Sequence, residues 1–426
     1  MGLNFSARML VPALLAFFLM LVWPMAYTIA LRNVLLAAGF IWALVMAGRR
    51  GLPLPHAPTP LLWLVALVVW MLAQAVFLAV DPGRALGEIR GQWVPALAAG
   101  FFGYLLAVHA AREHYTPSLW RGIVLLLAVH ASATLLFAAA PLLEGGSLLR
   151  RVGGLTEGPD KSSYLTVTLA CVLLAASVGG AANRLLPKPI IFLLLPLVLA
   201  TLYVEQIRNA LVSLAVAVLL LAAFLLTRPG RGRTTRLAVS GTLAAILLVV
   251  FALAVTDARR QGTLESARAA WQADTRSVVL EAKLDQAGSD PSAYLRFAML
   301  KEGLAMAAAH PLGVGYHRNA FGHALRLEYG MGSGHSHSSL LDIAIGVGVP
   351  GVLLLVGFFV SCMKTGWHTE RIRHDGLGLM LLLLAGSTLV RAVLDSCLRD
   401  HMLQQTFFLL GLLLAAAAKP PSEQDT

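Results

Sequence analysis

The chain has 426 residues, of which 33 are Lys or Arg and 22 are Asp or Glu, and its formal net charge is +11. Only 13% of the residues are charged and 58% are hydrophobic, whereas a typical soluble domain has about 25% charged residues. This composition excludes a disordered chain, a disulfide-stabilised scaffold and almost any ordinary soluble enzyme. We therefore expect an all-α, polytopic membrane protein.

Long apolar runs predict about twelve transmembrane helices, because a spanning helix needs about 20 mostly apolar residues. The break between the first two runs, at Tyr27 to Asn33, is weak. The predicted spans are 9–28, 30–48, 59–80, 93–110, 119–140, 162–180, 189–204, 209–227, 236–255, 340–362, 376–395 and 403–419. This pattern assigns residues 1–255 to nine transmembrane helices and 340–426 to three more with a short cytoplasmic tail.

The distribution of Lys and Arg over the short loops sets the predicted orientation. These residues are more frequent in the loops that are cytoplasmic if the N-terminus is cytoplasmic, so we expect both termini in the cytoplasm. The basic run at 228–233, RPGRGR, then fits a stop signal at a membrane surface better than a nucleic-acid contact. The sequence predicts no nucleic-acid partner.

Residues 256–339 form one long loop on the outer side, between the ninth and tenth spans. A loop of this length is expected to carry its own structure. Asp290-Pro291, followed by an apolar periodicity, predicts a capped helix over 291–309, and residues 264–280 predict a weaker amphipathic helix. Pro311 and the pair Gly313 and Gly315 predict a turn directly after the 291–309 helix.

The sequence gives little sign of a metal or another cofactor, and we expect none. The three cysteines, Cys171, Cys362 and Cys397, lie in or beside apolar runs, and no D-x-D triplet occurs. Five loop histidines leave a zinc site as an alternative, although their spacing matches no common ligand pattern. They are His310, His317, His323, His335 and His337.

Three ionisable residues are predicted to lie on the outer face. Arg208 is in a short turn between two spans, Arg296 is on the predicted loop helix, and His337 lies just before the tenth span. Each also has a structural interpretation: a snorkelling anchor for Arg208, a solvated helix face for Arg296 and an interfacial side chain for His337. Their placement on one face favours a shared functional site.

Four segments, in order along the chain, resemble motifs of the O-antigen ligase and polymerase superfamily. They are RVGGLTEGPDKSSYL from residue 151, IRNAL at 207–211, YLRFAMLKEGLAMAAAHPLGVGYHRNAF from residue 294 and HSSLLDIAIGVGVPG from residue 337. The chain departs from the family pattern at Asp160 and Ser338, where Asn is common, and at Ile207, where Ser is usual. Both arginines and the histidine are present.

This resemblance implies a GT-C-like glycosyltransferase of the bacterial inner membrane, with its active site facing the periplasm. It implies transfer of a glycan from undecaprenyl pyrophosphate to a hydroxyl of lipid A-core, without a metal and with inversion at the anomeric carbon. Arg208 and Arg296 would hold the pyrophosphate, since guanidinium groups match phosphate oxygens. His337 would act as the general base or orient the acceptor. Membrane lipids would surround the spans.

Other residues of the outer face are expected to bind substrate. Arg150, Arg151 and Lys161 could contact phosphate or acidic sugars, and His335 lies two residues before His337. Asp395 resembles an acidic position of the family, or it could simply pair with Arg391 or Arg399.

Three alternatives to the ligase remain open at this point. The resemblance also fits an O-antigen polymerase or a protein O-oligosaccharyltransferase. A transporter of lipid-linked sugars is a further alternative, but the charges gather at the membrane surfaces rather than at the midplane.

Overall fold

The computed structural model describes residues 6–52, 58–178, 185–228, 241, 244–249, 251–252, 260–281, 290–332 and 334–416. Regular structure within these ranges is helical. The first eight helices are α1 (Ala7–Val22), α2 (Ile29–Arg50), α3 (Thr59–Phe77), α4 (Pro82–Arg112), α5 (Thr116–Ala139), α6 (Pro159–Val178), α7 (Lys188–Glu205) and α8 (Arg208–Leu226). A 3₁₀ turn, Ala140–Glu144, extends α5.

Four helices of the long loop follow, and three further helices close the chain. The loop helices are α9 (Arg260–Gln272), α10 (Arg276–Glu281), α11 (Pro291–Ala309) and α12 (Ala320–Tyr329). The last three helices are α13 (Ser339–Arg373), α14 (Leu377–Leu394) and α15 (Asp400–Ala416). The predicted helix over 291–309 is α11, whereas the single helix predicted over 264–280 is two helices, α9 and α10.

The chain is an all-α, polytopic membrane protein, as its composition predicts. Within the described residues, nine helices are long and apolar enough to cross a membrane. The predicted number of twelve is not confirmed. The helices α1 and α15 overlap the predicted spans 9–28 and 403–419, but they have only 16 and 17 residues and are not among the nine. Most of the ninth predicted span, 236–255, lies outside the described residues.

Two helices lie at the centre of the bundle. Most side chains of α6 and α14 are buried, whereas α2 and α3 turn many apolar side chains outward. Aromatic side chains of α15 pack against α4: the rings of Phe407 and Trp93 are 5.6 Å apart, and those of Phe408 and Phe102 are 5.7 Å apart. Close packing of this kind stabilises the association of helices in a membrane, because the surrounding lipid is as apolar as the side chains and the hydrophobic effect between helices is weak.

The long helix α13 is broken at Gly348, whose backbone is not helical (φ 82°, ψ 176°). A loop segment fills the break with backbone hydrogen bonds. The amides of Val314 and Gly315 donate to the carbonyls of Ile345 and Gly346 at 2.9 Å, and the Val349 amide donates to the Pro311 carbonyl at 2.9 Å. These bonds satisfy backbone groups that the break would otherwise leave unpaired.

Glycine is required where the two segments cross. A Cβ atom on Gly348 would lie 2.5 Å from the backbone of Leu312, and one on Gly313, which has a φ of 80°, would lie 2.5 Å from the Gly346 carbonyl oxygen. The turn predicted from Pro311, Gly313 and Gly315 is thus half of a backbone clasp, and the GVGVPG sequence at 346–351 is the other half. The clasp fixes the end of the loop against the membrane bundle.

We predict that Gly348→Ala destabilises the protein. Its φ and ψ belong to a region that is essentially glycine-only, and occupying it costs of the order of 1–3 kcal/mol before the added methyl meets Leu312. Thermal unfolding of the purified protein measures the change. Gly48→Ala in α2 is the control, because nothing lies within 4 Å of its added Cβ. Equal unfolding temperatures for the two variants would contradict the clasp.

Candidate active site

The first cationic group of the site is Arg208, at the turn between α7 and α8. Gln206 ends α7 in the left-handed region (φ 52°), Ile207 is extended, and α8 begins at Arg208. This tight turn reverses the chain at the end of two membrane helices. The Arg208 side chain is therefore presented at the membrane surface and is half-buried there.

Arg208 is tied to the long loop through Asp290. Its Nη1 donates to Asp290 Oδ2 at 3.0 Å and to Thr263 Oγ1 at 2.6 Å, and the Thr263 hydroxyl donates to Asp290 Oδ2 at 2.9 Å. The other oxygen, Asp290 Oδ1, accepts the Ala293 amide at 3.1 Å and caps α11. One carboxylate thus joins the α7–α8 turn to two loop helices.

The electrostatics of Asp290 match this arrangement. Burial opposes ionisation of the carboxyl, but the hydrogen bonds from Thr263, the Ala293 amide and Arg208 outweigh burial and lower its pKa. The carboxyl is only 3% exposed. A buried carboxylate needs such partners, since leaving it unpaired would cost several kcal/mol.

Arg208, Arg296 and His337 line one cavity of about 250 Å³. Arg296 reaches it from the second turn of α11, the helix that Asp290 caps. Arg151 also lines this cavity, which we call the arginine cavity. Residues from four separate parts of the chain therefore face the same space.

His337 is held at the edge of the arginine cavity by its backbone. Its φ is 57°, in the left-handed region that few non-glycine residues adopt. The Ser336 hydroxyl donates to the Ser338 carbonyl at 2.8 Å, and Ser338 caps α13. The Ser339 amide donates to the Asp395 carbonyl at 3.0 Å. These bonds fix the direction of the imidazole.

His337 is neutral near pH 7. Burial lowers its pKa to about 4, and the positive charge of Arg296 adds to this effect. Burial likewise lowers the pKa of His335 to about 3, helped by the charge of Arg399. The two rings are 4.4 Å apart in an edge-to-face arrangement. A neutral imidazole beside guanidinium groups can accept a proton, and the guanidinium groups can bind an anion.

The structure places the other predicted substrate-binding residues differently. Arg150 contacts Tyr203, donating to its hydroxyl, with the guanidinium carbon 3.8 Å from the ring centroid. Lys161 pairs with Glu157 and faces a different cavity. Asp395 pairs with Arg391, with Nη2 and Oδ2 3.3 Å apart. Among the predicted substrate-binding residues, Arg151 lines the arginine cavity together with Arg208.

Sequence reasoning missed the structural importance of Arg391. This side chain is only 2% exposed, and its Nη2 donates to the Asp160 carbonyl at 2.6 Å and to Ser163 Oγ at 3.0 Å. The available signal was an arginine inside an apolar run, since charged residues within spans are rare. The partners of Arg208, Thr263 and Asp290, gave no such signal.

Four of the five loop histidines form two pairs. His317 and His323 stack with their ring centroids 5.0 Å apart, and His335 and His337 form the second pair. Among the described residues, no three His, Cys, Asp or Glu side chains are grouped so that they could hold a metal ion.

Comparison with known families supports the resemblance seen in the sequence. The sequence model of the O-antigen ligase family matches residues 190–356. This segment belongs to the O-antigen ligase family. No curated protein matches the chain.

The family match covers the three central residues of the site. Arg208, Arg296 and His337 all lie within the matched O-antigen ligase segment. The family indicates a multi-pass membrane protein with ligase-type or polymerase-type glycosyl transfer in lipopolysaccharide assembly, and lipid-linked glycan and membrane lipid as partners.

We predict that Asp290→Ala lowers the thermal stability of the protein. The variant loses the cap of α11, which is worth about 1 kcal/mol, and leaves Arg208 without its carboxylate. Because the pKa of Asp290 is lowered, its contribution is present above its ordinary pKa, near 3.9, and is lost as the pH falls further.

Unfolding temperatures at pH 7 and pH 3 test this prediction. The unfolding temperature of Asp290→Ala should be below that of the unmodified chain at pH 7, and this difference should be smaller at pH 3. Glu265→Ala, which removes an exposed carboxylate from α9, is the control and should behave like the unmodified chain. A deficit of the same size at both pH values would show that the ionised carboxylate is not responsible.

Proposed function

We propose that the protein is an O-antigen ligase of the bacterial inner membrane. It transfers polysaccharide from undecaprenyl pyrophosphate to a hydroxyl of the lipid A-core oligosaccharide at the periplasmic face, and both termini are cytoplasmic. The observation that carries the proposal is the convergence of Arg208, Arg296 and His337 in one cavity within the family segment.

The arginine cavity fits the donor's pyrophosphate. Its cationic groups are Arg151, Arg208 and Arg296, and Asp290 neutralises one of them. The excess of positive charge attracts a dense anion, and the planar guanidinium forks bind phosphate oxygens in pairs. In the proposed reaction these groups also stabilise the negative charge that develops on the pyrophosphate as the glycosidic bond breaks.

His337 supplies the base. Its neutral imidazole takes the proton from the acceptor hydroxyl while that oxygen forms a bond to the anomeric carbon. The bond from this carbon to the pyrophosphate oxygen breaks at the same time, and the pyrophosphate leaves with the electron pair. Attack from the side opposite the leaving group inverts the anomeric carbon. The charge on the leaving group is balanced by arginine, so the proposed reaction needs no metal.

We predict that glycan transfer depends on all three residues. In a reaction of purified protein, lipid-linked glycan and rough lipopolysaccharide, His337→Ala should lose about 10²–10⁴-fold in rate, the range for loss of a general base. Arg208→Lys and Arg296→Lys should each lose about 10²-fold or more, because lysine keeps the charge but loses the planar fork. Arg268→Ala, on the exposed face of α9, is the control.

The same assay separates the alternatives. Transfer that continues in a chelator supports the metal-free mechanism, and transfer that stops there overturns it. A product formed on a second lipid-linked repeat would indicate a polymerase, and a product on a pilin-like protein would indicate a protein O-oligosaccharyltransferase. Movement of the lipid-linked glycan across a vesicle membrane without any new bond would indicate a transporter.

We also predict an unusual pH dependence. Because the pKa of His337 is lowered to about 4, the imidazole is already neutral at pH 6, and kcat/KM should not change between about pH 6 and 8. The rate should fall only as the pH approaches about 4, where His337 becomes protonated. Initial rates at low donor concentration measure the profile. Half-maximal activity near pH 6.5, the pKa of an unperturbed imidazole, would contradict the role given to His337.

A further inference from the structure

A second pair of cavities lies apart from the arginine cavity. An apolar groove of about 1020 Å³ runs between α2, α3, α4 and α15. At the end near the start of α4 it meets a charged cavity of about 490 Å³. Asn33, Gly87 and Gly91 line both spaces. An apolar channel with a polar end has the form of a site for a lipid and its headgroup.

The charged cavity is lined by equal numbers of cationic and acidic groups. The cations are Arg32, Lys161 and Arg318, and the acids are Glu88, Glu157 and Asp400. Side-chain amides of Gln92 and Gln404 complete its polar lining. Carboxylates accept hydrogen bonds from hydroxyl groups, and side-chain amides both accept hydrogen bonds from hydroxyl groups and donate to them.

One buried group in this cavity points to a ligand. His401 lines it and is only 4% exposed, and none of the described residues forms a hydrogen bond with its Nε2. Buried polar atoms in native proteins nearly always have a partner. Arg32, 6% exposed, lines the same cavity. The charged cavity thus has a buried polar wall that a bound headgroup would satisfy.

Charge decides which substrate each cavity suits. The charged cavity has three carboxylates that offset its three cations, so it attracts a pyrophosphate less than the arginine cavity, which has an excess of positive charge. A headgroup rich in hydroxyls, with a balanced set of charged substituents, suits the charged cavity. The two cavities therefore match two different lipids rather than two copies of one.

Two sequence neighbours of residues that line the charged cavity act on His337. Lys161 and Asp400 line the cavity, and their neighbours Asp160 and Arg399 act electrostatically on His337. The Arg399 guanidinium also donates to Asn319, which is next to Arg318 of the cavity, at 2.9 Å. A glycan that starts in the charged cavity can therefore extend past Asp160, Asn319 and Arg399 to the base.

We propose that the apolar groove and the charged cavity bind the glycolipid acceptor, with its acyl chains in the groove and its inner sugars in the cavity. This inference rests on the proposed function, in which the arginine cavity holds the donor. Each substrate then has its own lipid site, and the two glycan ends meet at His337.

Gly91→Phe tests the proposal. Gly91 lines both spaces, and nothing lies within 4 Å of a Cβ added there, so we expect the added ring to occupy the junction. Gly48→Phe is the matched control, because Gly48 is a helical glycine with equally open surroundings that lines neither space. Binding to the full chain in detergent is measured separately for rough lipopolysaccharide, undecaprenyl pyrophosphate and phosphatidylethanolamine.

The expected result is at least a tenfold loss of affinity for rough lipopolysaccharide in Gly91→Phe, with its affinity for undecaprenyl pyrophosphate unchanged. Gly48→Phe should keep its affinity for both of these lipids. Loss of undecaprenyl pyrophosphate binding instead would overturn the proposal and assign the groove to the donor. A loss of phosphatidylethanolamine binding in Gly91→Phe as large as the loss of lipopolysaccharide binding would overturn the proposal in favour of a general phospholipid site.

The experiment distinguishes an error in the proposed acceptor site from an error in the proposed ligase function. Unchanged lipopolysaccharide binding in a variant of an active ligase would disprove the site and leave the function standing. Lost lipopolysaccharide binding in a protein that transfers no glycan would support the site and disprove the ligase.

Discussion

The ion pair between Arg208 and Asp290 is the contact on which the arginine cavity depends. Exposed ion pairs stabilise proteins little, and Arg208 is 34% exposed, so the importance of the pair lies in geometry. Asp290 caps α11 with one oxygen and binds Arg208 with the other. The orientation of α11, and with it the position of Arg296, is thereby fixed relative to the α7–α8 turn. One buried carboxylate sets the relation between two cations that are far apart in sequence.

The other end of the loop is fixed by backbone alone. The clasp between Pro311–Gly315 and the break in α13 uses amides and carbonyls, and glycine is needed there because the two backbones approach so closely. His337 lies between this clasp and the capped start of α13. The family motifs in this chain therefore contain two kinds of residue: glycines that shape the backbone, and the arginines and histidine that face the cavity.

Some of this could be predicted from sequence because the causes are local. Span length follows from apolar runs, and α11 follows from Asp290-Pro291 and its periodicity. The shared face of Arg208, Arg296 and His337 follows from topology. The contact of Arg208 with Asp290 joins positions 82 residues apart, and no local pattern encodes it. Lys161 was grouped with Arg150 and Arg151 because they are close in sequence, but α6 begins between them and turns Lys161 toward another cavity. The low pKa of His337 arises from burial, which depends on the packed structure.

Arg391 joins the start of α6 to the end of α14. Its guanidinium binds the Asp160 carbonyl and Ser163 of α6 on one side and Asp395 on the other. Asp160 precedes Lys161 of the charged cavity, and the Asp395 carbonyl accepts the Ser339 amide beside the His337 segment. The Nη2 of this buried arginine donates to a backbone carbonyl, a hydroxyl and a carboxylate, while its Nε and Nη1 have no hydrogen-bond partner among the described residues. These contacts hold the elements in one arrangement, since loss of the carboxylate would leave the buried charge unpaired. In the proposed reaction Arg391 is therefore a positioning residue. It lines neither cavity, but it fixes the positions of Asp160 and Asp395 relative to His337.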